Sequence, residues 1–176
     1  QIVMALQTLV SRELGPKEAG VVTVGAFNSG LKHNVISDKA HLKLTVRYSN
    51  LGTKAKLLDG IKRIAENMGR VSGLPDDMLP TVIVSKDEDT PPQINDTGLT
   101  ARLESMWKDK YGTNNVLSTV DDGMGAEDFP FFVTGQNIPS VYWSIGGNTK
   151  AELDAQKKGD LPVTSHHSPF FKVDAD

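Results

Sequence analysis

The chain has 176 residues, a net charge of −3 and a pI of about 5.8, with 38% hydrophobic and 23% charged residues. That balance reads as a globular protein of one ordinary domain or two small ones. No apolar run approaches the roughly 18 residues of a membrane span, an acidic surface attracts neither nucleic acid nor anionic lipid, and the absence of cysteine excludes disulfides and thiolate metal sites within the chain.

Residues 1–14 place Ile2, Leu6, Leu9 and Val10 on one stripe, with Val3 and Leu14 beside it, which is helical spacing. Gly15 and Pro16 stop that helix. Residues 21–27 are rich in β-branched side chains and predict a strand. A loop carrying His33 and Asn34 leads to residues 39–47, where Ala40, Leu42, Leu44 and Val46 alternate with Lys39, His41, Lys43, Thr45 and Arg47. This is a half-buried strand with one polar face, and Arg47 lies on that face. Helical period returns over 54–69 through Leu57, Leu58, Ile61, Ile64, Ala65 and Met68, and Thr81–Val84 predicts a short strand after Pro80.

The order helix, strand, strand, helix, strand is a βαββαβ unit without its first strand. That strand normally lies inside the sheet, so its absence predicts a gap with unpaired backbone groups. The chain opens in helical pattern with no initiating Met and stops just after a His-His loop; both ends read as cuts, and the missing strand is expected upstream. Residues 86–92, charged and then proline-rich, have linker composition. Beyond it, Asn95 and Asp96 are candidate caps for a helix over 97–111, ended by Gly112. Val116–Thr119 is a candidate strand. A glycine turn at 123–125 leads to Glu127 and Asp128 at the start of a short helix, 140–145 reads as a buried strand running into Gly146-Gly147-Asn148, and 149–164 as a long charged loop.

Four groups of residues have the chemistry of a site. His166 and His167, before Pro169 and the potential loop anchors Phe170 and Phe171, are the place where imidazoles stand together, suited to a zinc-like ion; a surface His-His pair is the alternative. Arg47 offers a guanidinium fork for a carboxylate and Asn34 an amide for a carbonyl, against a solvated Arg and a turn Asn. Glu127, after backbone N–H groups bared at Gly125, faces a substrate or is simply stabilised by a helix N-terminus. Gly146-Gly147-Asn148 ends a strand as α/β sites do, and as ordinary turns do.

The segments QIVMALQTLVSR (1–12), VVTVG (21–25), GLKHNVISD (30–38), TVR (45–47), MGAEDF (124–129) and HSPF (167–170) occur in this order. Together they resemble the metal-dependent amidohydrolases and peptidases that include aminoacylases, hippurate hydrolase, carboxypeptidase G and the hydrolases of auxin–amino-acid conjugates. The likeness is greatest to the hippurate and auxin-conjugate branch. It implies an α+β and α/β architecture: a ferredoxin-like satellite (lid and dimerisation) domain over 1–88, lacking its first strand, and the rear part of a metallohydrolase catalytic domain over 89–176. It also implies two divalent cations, zinc or manganese, per complete site, with His167 as one ligand and His166 outside the ligand set. Asn34, Arg47, Gly125 and Glu127 fall at substrate-binding positions, and the general base is expected upstream.

Ser37 stands where that family usually has Pro. The implied substrate is a small N-acyl amino acid or related conjugate, and the implied partner a second copy through the satellite, with neither nucleic acid nor membrane. The reading from outside catalysis is a ligand-binding or dimerising module.

Overall fold

The computed structural model describes residues 1–118, 123–160 and 167–171. The chain falls into two compact units, Gln1–Ser140 and Val141–Asp176. Among the described residues, no helix is long and apolar enough to cross a membrane.

The first unit is a mixed α/β layer built on a two-stranded sheet. Helix α1 (Ile2–Thr8) runs on into a π-helical turn at Leu9–Glu13, where the N–H of Leu14 reaches the carbonyl of Leu9 at 3.1 Å. Strand β1 (Gly20–Ser29) pairs antiparallel with β2 (Ala40–Tyr48), from Gly20 opposite Tyr48 to Ser29 opposite Ala40. Gly25 takes up a register shift between Val24 and Ala26, so Val22, Val24 and Phe27 share the face of Val46, Leu44 and Leu42. Helix α2 (Leu51–Val71) starts three residues before the predicted 54 because the Asn50 side chain caps it, accepting from the Thr53 N–H at 2.9 Å.

The core forms where α1, α2 and the inner sheet face meet: Leu6, Leu9, Val22, Leu57, Ile61 and Ile64. Gly60 permits this packing. A Cβ there would collide with the Leu9 side chain, so the two helices approach only because that position has no side chain.

The predicted strand at Thr81–Val84 is absent as a strand. Val82 packs on the core, but no backbone hydrogen bond joins this segment to another described residue. Its course is nevertheless fixed at both ends. Pro80 and Leu79 lie against Gly69 near the end of α2, and Asp89 and Thr90 bond to Tyr48 at the end of β2. The segment therefore returns alongside α2 in the same sense as β2, without a neighbour to form a ladder.

Helix α3 (Thr97–Tyr111) matches its predicted span, capped by Asp96, whose carboxylate accepts from the Leu99 N–H at 2.7 Å, and ended by Gly112 at φ +88°. Leu99, Leu103 and Trp107 are half-buried, whereas Met106 and Tyr111 turn outward, so the predicted apolar face is only partly covered. Val116–Ser118 form no strand; Thr119 lies outside the described residues. Helix α4 is a single turn, Pro130–Val133.

The stretch 140–145 is not the buried strand that was expected. Trp143 is 50% and Ile145 77% exposed, and these residues form no strand. An apolar β-prone segment needs flanking strands to bond and cover it, and these residues pair with no described strand. The stretch read as a long charged loop contains helix α5 (Lys150–Lys157), held by a reciprocal capping box: Thr149 Oγ1 accepts from the Glu152 N–H at 3.1 Å, and Glu152 accepts from the Thr149 N–H at 2.9 Å.

Candidate functional site

Arg47 sits near the end of β2, opposite Val21, exposed on the face away from the core. Strand alternation puts it there, because Leu44 and Val46 are drawn inward. Its Nη1 donates a hydrogen bond to the carbonyl oxygen of Met124, 77 positions on in the sequence. Met124 lies in the glycine turn, whose Gly123 has φ +74°, a conformation that favours glycine. Two segments singled out separately from the sequence thus meet at one point. A guanidinium carries five N–H donors, and this bond uses one of them.

Gly125 and Glu127 follow in the same turn and are exposed. The predicted helix N-terminus is displaced: α4 starts at Pro130, so Glu127 and Asp128 precede it and leave its first turn without acids. Proline has no N–H to satisfy and is preorganised for a first turn, which moves the start past both carboxylates. The simple reading of Glu127 as a helix-dipole partner therefore loses its support.

Asn34 is exposed in the loop between β1 and β2. That loop closes the hairpin at the Ser29–Ala40 end, whereas Arg47 lies at the other end. Arg47 is seven steps along the strand from Ala40, about 23 Å at the usual rise. The loop that carries Asn34 and the strand position of Arg47 thus lie at opposite ends of the hairpin.

His167 is exposed in a turn of the second unit, where Phe170 and Phe171 donate their N–H groups to the Ser168 hydroxyl and carbonyl at 3.2 and 3.0 Å. Phe170 is 78% exposed, so it does not anchor this loop in a core as expected. His166 lies outside the described residues. Among the described residues no three His, Asp or Glu side chains gather as a metal-binding group. Zinc ordinarily takes about four donors, so these residues do not by themselves fit a cation.

A polar cluster beside Arg47 escaped the sequence reading. The Tyr48 hydroxyl donates to Asp89 Oδ1 at 2.7 Å and lies 3.1 Å from the Thr90 carbonyl, Lys54 Nζ binds Asp89 Oδ2, and the Lys54 ammonium stands 5.4 Å from the Tyr48 ring centre. The bonds from Lys54 and then Tyr48 hold the Asp89 carboxyl below the usual range. The bond to Asp89 raises Lys54, and burial first, then Asp89, raises Tyr48. No periodicity announces such a cluster; the one hint was an acidic linker close behind a strand and helix bearing complementary groups.

No family model matches the chain. The chain is nonetheless related, over nearly its whole length, to hydrolases of carbon–nitrogen bonds: amidohydrolases, deacetylases and carboxypeptidases. It is 30% identical over 175 residues to IAA-amino acid hydrolase ILR1-like 4 of Arabidopsis thaliana, covering 98% of this chain and 36% of that protein. It is 31% identical over 168 residues to N-acetyldiaminopimelate deacetylase of Leuconostoc citreum, covering 92% and 41%. It is 28% identical over 131 residues to hippurate hydrolase of Campylobacter jejuni, covering 74% and 33%. The chain therefore spans well under half the length of these relatives. Among solved structures, a provisionally named aminohydrolase from methicillin-resistant Staphylococcus aureus is similar with a TM-score of 0.62 and 30% identity, over 76% of this chain and 32% of that one.

Proposed function

We propose that this chain is part of a metal-dependent hydrolase that cleaves the amide bond of an N-acyl amino acid or related conjugate. The relatives named for such substrates support the reading. The observation that carries it is the bond from Arg47 to Met124, which gathers a cationic fork and a glycine turn from distant parts of the sequence.

In this reading Arg47 takes the free carboxylate of the amino-acid half, through charge-assisted hydrogen bonds that a planar guanidinium makes in pairs. Gly125 bares a backbone N–H toward the acyl half, and Glu127 lies in the same turn. Residues 1–88 act as the satellite, completed to a ferredoxin-like sheet by a strand from polypeptide outside this chain. Residues 89–176 belong to the catalytic domain. His167 serves as one donor to zinc or manganese, and the other donors and the general base come from outside these 176 residues. Such cations would supply Lewis acidity toward the amide carbonyl and toward water. The separation of Asn34 from Arg47 fits a homodimer in which Asn34 reaches the site of the second copy.

The test uses a polypeptide of the relatives' full length that contains this chain, assayed on N-acetyl and N-benzoyl amino acids and on their methyl esters. Arg47→Ala is expected to raise KM for the free acids at least about tenfold, the scale of one lost charge-assisted contact, and to leave the esters nearly unaffected. Unchanged KM and kcat on the free acids would remove Arg47 from the role.

A further inference from the structure

The outward face of β2 carries Lys39 just before the strand, then His41, Lys43, Thr45 and Arg47 at alternate positions, with His41 through Arg47 exposed. Opposite them on β1 stand Asn28, Ala26, Thr23 and Val21, and neither strand contains an acidic residue. The ammonium groups of Lys39 and Lys43 form no ion pair among the described residues. Asp38 adjoins Lys39 at the hairpin end, far from Arg47. A chain of net charge −3 thus keeps a line of uncompensated cations on one sheet face. Lys39, Lys43 and Arg47 are four residues apart, about 13 Å per step at the strand rise.

We propose that this line is an approach track: Lys43 and Lys39 attract an anionic substrate to the sheet face and deliver its carboxylate to Arg47. The proposal rests on the reading of Arg47 as carboxylate receptor. Attraction between unit charges persists over about 30 Å at 0.01 M salt but only about 8 Å at 0.15 M. Lys43 is therefore felt at Arg47 in dilute salt and screened in concentrated salt, and Lys39 more so. At these separations in water each lysine adds less than a doubling of affinity, so the pair is expected to contribute about a factor of two.

The experiment follows the backbone amide resonances of β2 in the 176-residue chain, in samples dilute enough that these resonances do not change with protein concentration, during titration with N-acetylglycine, and with uncharged N-acetylglycine amide, at about 10 mM and about 300 mM salt. Wild type is expected to prefer the acid, and more so in dilute salt. The double variant Lys39→Gln, Lys43→Gln is expected to lose about twofold in affinity for the acid at low salt, to match wild type at high salt, and to leave the amide unaffected. If the double variant keeps wild-type affinity and salt dependence while Arg47→Gln abolishes the preference for the acid, the track is wrong and the receptor stands. If Arg47→Gln binds the acid as wild type does, the receptor reading fails and the track with it.

Discussion

Tyr48 and Asp89 meet hydroxyl to carboxylate at 2.7 Å, across 41 positions of sequence. Tyr48 is the last residue of β2, and its predecessor Arg47 reaches Met124. Two consecutive residues at one strand end thus tie down two distant segments, the linker and the glycine turn. Pro91 and Pro92 follow at once, and their fixed φ carries the direction set at Asp89 and Thr90 into the next part of the chain.

Breaking this tie should free the linker without melting the core. Tyr48→Phe removes one hydrogen bond to a charged group at a half-buried position and is expected to cost about 1 kcal/mol, or about 2–4 °C in Tm for a domain of this size. Limited proteolysis should cut faster within 86–90. The pH response has two sides. Asp89 is depressed in the fold, so its contribution is complete above the unfolded carboxylate pKa and is lost as pH falls through the folded value. Lys54 is raised, so its contribution is complete below the unfolded lysine pKa and is lost as pH rises through the folded value. The tie is therefore expected to be intact across the neutral range, and linker cleavage that varied between pH 6 and 8 would contradict that.

Glu18 makes a second pH-dependent contact. Lys56 at 2.9 Å, the Gly15 N–H at 3.1 Å and the Thr53 hydroxyl at 2.9 Å hold its carboxyl at about 2 against an ordinary 4.5. A depressed carboxylate stabilises above its unfolded pKa and loses that contribution as pH falls through its folded one. Wild-type stability should thus decline from about pH 4.5 toward pH 2, and Glu18→Gln should flatten that part of the curve in denaturant titrations. An identical decline in the variant would show that other carboxylates carry it.

Gly60 sets two effects against each other. Alanine favours a helix interior by about 1 kcal/mol over glycine, but here its methyl would strike Leu9. Overpacking a tight core contact costs about 1–3 kcal/mol, so Gly60→Ala is expected to lower Tm despite its better helix propensity. Leu57→Ala, which empties a fully buried position in the same cluster, should cost about 2–5 kcal/mol. A Gly60→Ala variant more stable than wild type would mean that Leu9 has room to move aside.

Elements whose signals lie in neighbouring residues were legible in advance. The alternation of Ala40–Val46 placed β2 and oriented Arg47, and the Leu57–Ile64 stripe placed α2. The strands expected at Thr81–Val84 and 140–145 did not form because pairing depends on partners that a local pattern cannot supply. Helix α5 was missed although Thr149 and Glu152 spell a capping box; the charged run between them and His167 outweighed it. At the candidate site, the types and faces of Asn34 and Arg47 could be read. Their placement at opposite ends of the hairpin follows from register, which becomes visible only once the turn is known. The tie between Arg47 and Met124 joins residues too far apart in sequence for any pattern to announce.

A ribbon that shows two strands among the described residues also affects how the molecule behaves in a test tube. Each strand spends half of its backbone donors and acceptors on the other, and the remainder meet no further strand among the described residues, so they offer a pattern that an extended peptide can complete. Concentrated samples of this chain should therefore self-associate through β2, and a short peptide of alternating valine and threonine should compete with that association.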